Sequence, residues 1–261
     1  MTTVFPPSEL FDLSGTRAAV VGGTGVLGGR FAQCLAAAGA EVVVFGRSVD
    51  RGSAVAENIV MSGGSASFLS LDVTDRGSLE RAAVSLEESG GLDTLVNAPG
   101  VNSTTPFANL TDEEWERLLE VNLTSVFRSC QVFARLMHNR AQAASIINIS
   151  SASSGPPLSR VLGYGVAKAG VNNITQYLAR ELAGDRVRVN AIIPGFFPAA
   201  QNRALLTQER VDSIVGHTAM QRLGEPHELD GVLLWLASSR ASGFVTGALV
   251  NVDGGFSAMT I

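Results

Sequence analysis

The sequence predicts an α/β fold in which a doubly wound, parallel seven-stranded sheet of order 3-2-1-4-5-6-7 carries helices on both faces. Three observations predict it. Short β-branched runs alternate with longer amphipathic segments, the first strand runs into a glycine-rich loop and a helix, and turn signals follow directly after several strands. Strands are expected at Arg17 to Val21, Glu41 to Phe45, Ala66 to Ser70, Leu92 to Val96, Ala144 to Ser150, Val187 to Ile193 and Ala248 to Val252. Right-handed crossovers join them. The chain of 261 residues is 46% hydrophobic and has no Pro/Ser linker, like-charge block or low-complexity tract, so one domain over residues 1–261 is expected.

The first strand leads into Gly22-Gly23-Thr24-Gly25-Val26-Leu27-Gly28-Gly29 and then a helical pattern from Arg30 to Ala38. A glycine loop between strand and helix lets backbone amides and a helix N-terminus approach a pyrophosphate that side chains would keep away. The second strand ends in Phe45-Gly46-Arg47-Ser48, with no carboxylate at its rim to take up a ribose 2'-hydroxyl; Glu41 lies at the opposite end. Arg47 with Ser48 beside it suits a 2'-phosphate, so NADP(H) is preferred to NAD(H); the alternative is a solvated surface charge. After the third strand, Asp72 in Leu71-Asp72-Val73 is placed to accept from an adenine amino group or to cap a helix.

Thr111-Asp112-Glu113-Glu114 supplies an N-cap followed by acidic residues, so a helix is expected to start there and to run past Asn122 to about Met137. The fifth strand ends in Ser150-Ser151, at the rim where open parallel sheets bind ligands, with Ser151 preferred to Ser150 as the cleft-facing hydroxyl. Thirteen residues later comes Gly163-Tyr164-Gly165-Val166-Ala167-Lys168. Residues four apart on a helix are neighbours, so Lys168 is expected beside Tyr164. A free phenol titrates near about 10, and a fixed cation next to it moves it toward the range useful for proton exchange. Pro99-Gly100, Gly155-Pro156-Pro157 and Pro194-Gly195 place three more turns on the same rim.

A net charge of -5, from 19 Lys+Arg against 24 Asp+Glu, offers no basic cluster for a phosphate backbone, so nucleic acid is not an expected partner. Met1 to Pro7 lacks the features of a signal peptide and no later run is long enough to span a bilayer, so a cytoplasmic protein with no membrane partner is expected. Cys34 and Cys130 fall in predicted helices and read as reduced core thiols. His138, His217 and His227 show no metal-ligand spacing, and no metal is expected.

With the glycine loop, Asn97-Ala98-Pro99-Gly100, Asn122, Ser151, Tyr164, Lys168 and Pro194-Gly195 in this order, the chain resembles the classical short-chain dehydrogenase/reductase family from about Leu13 to Gly255. The resemblance implies a single Rossmann-type domain, a nicotinamide cofactor, a small-molecule carbonyl or alcohol substrate, and a homotetramer or homodimer. It implies that Tyr164 donates and accepts the proton, Lys168 lowers the phenol's pKa and holds the nicotinamide ribose, Ser151 orients the substrate carbonyl and Asn122 anchors a water in the proton relay. The cofactor would lie along Gly22, Thr24, Gly25, Val26, Leu27, Gly28, Arg47, Ser48, Asp72, Val73, Asn97, Ala98, Pro99, Gly100, Tyr164, Lys168, Pro194, Gly195 and Phe197. The chain departs from the usual family pattern at Val21, Val26, Ala98-Pro99 and Ala199, each at a cofactor-side position.

Within the family, Gly23 to Gly28, Pro157 to Tyr164, Pro194 to Phe197, Gln201 to Arg203 and Val252 to Ser257 resemble the D-mannonate oxidoreductase/fructuronate reductase branch. A sugar acid needs a carboxylate partner and polar groups for its hydroxyls. Arg160, one turn before Tyr164, and Gln201, Asn202 and Arg203 within an expected lid over about 196–222 are candidates, with Asn102 and Ser103 lining the same pocket. Arg160 and Arg203 read equally well as structural loop contacts. A 3-oxoacyl-thioester reductase and a catalytically idle dinucleotide-binding protein are the other readings these motifs allow.

Overall fold

The computed structural model describes residues 4–138, 142–197 and 207–259. Seven strands form one sheet: β1 (Arg17–Val21), β2 (Glu41–Gly46), β3 (Ser65–Ser70), β4 (Thr94–Asn97), β5 (Ala144–Ile149), β6 (Val187–Pro194) and β7 (Leu249–Val252). Their order is β3-β2-β1-β4-β5-β6-β7 and every pairing is parallel. This is the predicted order.

Parallel strands covered on both faces must be apolar on both, and here β4, β5 and β6 are buried at every position. Adjacent residues divide between two cores, as the two-residue period requires. Val21, Phe45 and Ile146 face one core; Val20, Val44 and Ile147 face the other. The first core is closed by α4 (Arg76–Glu88), α6 (Ser125–Phe133) and α7 (Leu162–Glu181), with Phe45 stacked on Phe133 at 5.8 Å between ring centroids. The second is closed by α2 (Val26–Ala37), α3 (Val49–Met61) and the helix Asp230–Ala237.

The helix expected from Thr111 is present but is not regular. Thr111 Oγ accepts from the Glu114 amide at 3.2 Å and starts α5 (Asp112–Leu119). A widened turn, Glu120–Thr124, then joins it to α6. Asn122 sits in that turn, and its side-chain Nδ2 donates back to the Leu118 carbonyl at 2.8 Å, replacing part of the regular backbone ladder. β4 lies two residues later than the Leu92 start expected, because Leu92 is drawn into the core while its amide donates to the Leu136 carbonyl.

Candidate active site

The strand ends meet at one rim, and the crevice opens where the order reverses between β1 and β4. There the backbone leaving β1 passes so close to the residue after β4 that only glycine fits: Gly22 has a φ of 81°, and a Cβ on it would lie 2.5 Å from the Ala98 carbonyl oxygen. A Cβ at Gly28 would lie 2.2 Å from the Gly22 oxygen, so α2 packs directly on the loop. The N-cap of α2, Gly25, has no side chain to satisfy the first-turn amides. Those amides, with the positive end of the helix dipole, form an anion cradle.

A cavity of about 590 Å³ runs along this rim. At one end it is lined by Gly22 and Gly25 to Gly28, with Arg47, Asp72 and Val73 just after β2 and β3 and Arg51 in the first turn of α3. Its middle is formed by Ala98-Pro99-Gly100, Pro194-Gly195 and Phe197, and its other end by Asn102, Ser151, Tyr164 and Lys168. A cavity of this size with few convergent polar groups is a small-molecule site.

Ser151 lies close enough to Tyr164 for its hydroxyl to act on the phenol. Ser151 also accepts from the Ser153 amide at 3.1 Å, which fixes its rotamer from the loop side. Its neighbour Ser150 is buried and donates to the Lys168 carbonyl at 3.2 Å, a structural contact within the helix packing. The Lys168 ammonium lies 5.6 Å from the centre of the Tyr164 ring, as the i, i+4 spacing predicts. It donates to the Ile149 carbonyl at 2.9 Å and to the Pro99 carbonyl at 3.5 Å, bracing β5 against the loop after β4.

The electrostatics differ from the expectation for Tyr164. Burial raises its pKa above the ordinary phenol value, and the neighbouring Ser151 hydroxyl only partly opposes this. Burial also depresses Lys168, from 10.5 to about 8, and among the described residues no carboxylate forms an ion pair with it. The cation turns two of its donors to carbonyls, and burial holds the phenol protonated rather than primed as phenolate.

Residues 25–257 match the family model described as enoyl-(acyl carrier protein) reductase. The chain is 38% identical over 269 residues to the uncharacterized oxidoreductase UxuB of Bacillus subtilis (strain 168), covering 95% of this chain and 96% of that one. It is 32% identical over 250 residues to 5-keto-D-gluconate 5-reductase of Escherichia coli (strain K12), covering 95% and 98%. The chain belongs to the short-chain dehydrogenase/reductase family. Among solved structures, a gluconate 5-dehydrogenase from Burkholderia cenocepacia J2315, in complex with NADP and tartrate, superposes with a TM-score of 0.93 at 30% identity, over 98% of this chain and 100% of that one.

Several residues expected at this short-chain dehydrogenase site lie beside the cavity rather than on it. Thr24 packs against Gly46, where a Cβ would come within 2.5 Å of its methyl group. Ser48 caps α3, accepting from the Arg51 amide at 3.4 Å. Asn97 is buried in a network with Ser129 at 2.6 Å and Asn148 at 2.9 Å. Asn122 commits its amide to the loop after β4: Nδ2 donates to the Val101 carbonyl at 2.9 Å and Oδ1 accepts from the Val101 amide at 3.1 Å.

Two substrate-side expectations change. Ser103 turns from the cavity because its hydroxyl donates to Glu114. Arg160 is not one turn along the helix from Tyr164: α7 begins at Leu162, and Arg160 precedes it in an exposed left-handed conformation with a φ of 65°. Gln201, Asn202, Arg203 and Ala199 lie outside the described residues; beyond them, the expected lid region contains the helix Gln208–Gly216, whose Arg210 donates to the Ser159 carbonyl at 3.0 Å. Asp72 lines the cavity but caps no helix; it accepts from the Thr74 amide at 2.9 Å and the Thr74 hydroxyl at 2.7 Å, which lowers its pKa, while Asp75 caps α4.

The sequence reading missed Arg51, Arg117, Ser153 and Phe196, all of which line the cavity. Arg51 was detectable, since it stands four residues after Arg47 at a helix start. The cysteines are free, buried and held at pKa values of about 12 by burial, which leaves them inert as nucleophiles. Among the described residues there is no His/Cys/Asp/Glu group able to hold a metal, and no helix long and apolar enough to cross a membrane.

Proposed function

We propose that this protein is an NADP(H)-preferring oxidoreductase that interconverts a carbonyl and a secondary alcohol on a polyhydroxy acid, of the ketogluconate, fructuronate or mannonate type. The carrying observation is one cavity that joins the glycine cradle and Arg47 at one end to Ser151, Tyr164 and Lys168 at the other. The residues fit a dinucleotide. A Cβ would fill the space left at Gly22 and Gly28, the α2 amides lack a side-chain cap, and Arg47 and Arg51 offer two guanidinium groups where a 2'-phosphate would lie. The NADP-bound gluconate 5-dehydrogenase relative supports the same preference.

When bound, the nicotinamide supplies or takes up the hydride. The protein's part is to orient the substrate and move the proton. Ser151 and Tyr164 together point hydroxyls at one oxygen, where negative charge grows as the carbonyl carbon is reduced. Tyr164, held protonated by burial, gives its proton to that oxygen, and takes it back in the oxidation direction. Lys168, beneath the ring, stabilises the phenolate left behind. Asn122 and Lys168 hold the loop after β4 from two sides, through Val101 and Pro99.

The sugar-acid assignment draws on the segment resemblances and on the 5-keto-D-gluconate 5-reductase relative. Self-association into a homotetramer or homodimer belongs to the same proposal, supported by the exposure of Phe127, Val166 and Tyr177 on α6 and α7 and of Phe244 near β7. The test is a panel of keto acids, including 5-keto-D-gluconate and fructuronate, assayed with NADPH and NADH in parallel. NADPH-dependent turnover of a uronate- or gluconate-type ketone is expected; turnover of simple ketones only would refute the substrate class.

A further inference from the structure

We propose that Glu114 is a positioning residue for substrate recognition: it clamps the loop that presents the Asn102 amide to the cavity as a hydrogen-bond donor. The inference deepens the proposed function, because it uses the same cavity and the same carbonyl substrate.

Glu114 stands in the first turn of α5, above the loop that follows β4. Its Oε1 accepts from the Ser103 hydroxyl and, at 2.8 Å, from the Thr105 hydroxyl, whose oxygen is also 3.0 Å from Oε2. The Ser103 oxygen in turn accepts from the Thr105 amide at 3.1 Å. One carboxylate therefore gathers two side chains and, through them, the backbone of residues 103–105. On the other side of Asn102, Val101 is held at both its amide and its carbonyl by Asn122. Asn102 is the residue between the two clamps, and it lines the cavity with Tyr164 and Ser151.

The clamp also decides which end of the Asn102 amide is available. The Ser103 backbone N–H donates to Asn102 Oδ1 at 2.8 Å, and only the oxygen of the amide can accept it. Its Nδ2 is left to donate. Such a donor matches a hydroxyl or carboxylate oxygen of a polyhydroxylated substrate and gives nothing to an apolar ketone. Glu114 does not line the cavity, so it acts on substrate only through the loop.

The experiment compares wild type with Glu114→Ala, Glu114→Gln, Asn102→Ala and the double Glu114→Ala/Asn102→Ala, using 5-keto-D-gluconate and diacetyl as probes with NADPH. Loss of one hydrogen bond to a neutral hydroxyl oxygen predicts that Glu114→Ala raises KM for 5-keto-D-gluconate about 3- to 10-fold. KM for NADPH and kcat/KM for diacetyl stay at wild-type values. Glu114→Gln, whose amide oxygen still accepts both hydroxyls, restores recognition, and the double variant is no worse than Asn102→Ala alone. Equal losses on both carbonyls, additive effects in the double variant, or no change in Glu114→Ala overturn the proposal while the sugar-acid reading stands. A wild type that reduces diacetyl but no hydroxylated carbonyl overturns both.

Discussion

Lys168 is a buried ammonium with no carboxylate partner among the described residues, and that condition has a measurable signature. It is 3% exposed, and burial lowers its pKa from 10.5 to about 8. At about 1.36 kcal/mol for each factor of ten in proton affinity, this interval corresponds to about 3 kcal/mol of charge-burial penalty in the folded state. The penalty is present in full below pH 8, where folded and unfolded chains both carry the proton. Between pH 8 and 10.5 the folded chain has released its proton and the unfolded chain has not, so stability rises with pH. In Lys168→Met this contribution is absent. Urea denaturation of both proteins without cofactor, at steps from pH 7.5 to 9.5, is expected to show wild type gaining about 2 kcal/mol relative to Lys168→Met over that range. Stability curves that stay parallel would refute a depressed Lys168 and, with it, the absence of a compensating anion.

Tyr164→Phe removes the proton donor and keeps the ring, so turnover should fall by about 10²- to 10⁴-fold while NADPH affinity measured by fluorescence titration is retained; full activity would remove Tyr164 from the chemistry. Arg47→Ala should raise KM for NADPH about tenfold or more with little effect on NADH, and Arg51→Ala should act in the same direction, since each deletes a charge-assisted contact to phosphate; equal effects on both nucleotides would place the arginines elsewhere. Gly22→Ala forces a Cβ to 2.5 Å from the Ala98 oxygen at a φ of 81°. It should cost about 1–2 kcal/mol from the backbone alone and weaken nucleotide binding, read by thermal melts with and without NADPH.

The sheet was legible because its signal is local and repeated. Six of the seven strands carry β-branched residues in a short apolar run, β3 being the exception, and the crossovers between them admit one handedness and few orders. The glycine loop was legible for a similar reason: Gly22 and Gly28 are required by close backbone approach, a constraint that leaves its mark in residue type. The Tyr164–Lys168 pairing follows from helical spacing alone.

What escaped the sequence depends on partners far apart in the chain. Ser103 reads as a small polar residue near a pocket, and only the fold shows that Glu114, eleven residues later, claims its hydroxyl. Arg160 fits a helical offset from Tyr164, yet the helix begins after it, and the left-handed turn at Arg160 carries no signal in an arginine. The widened turn at Glu120–Thr124 is likewise invisible, because one inserted residue shifts the apolar pattern of a helix by less than the pattern's own width. The direction of the Tyr164 shift escapes the sequence for a related reason: proximity to Lys168 is readable, but the depth of burial that raises the phenol belongs to the whole packed rim.

The most direct test of the central claim follows the hydride. NADPH carrying deuterium at the transferable position of nicotinamide C4 is incubated with the protein and 5-keto-D-gluconate, and the product is examined by mass spectrometry and NMR. A single deuterium on the new carbinol carbon, lost together with turnover in Tyr164→Phe, is the predicted result. Oxidation of the nucleotide without deuterium in a sugar-acid product, or an undiminished transfer in Tyr164→Phe, would contradict it.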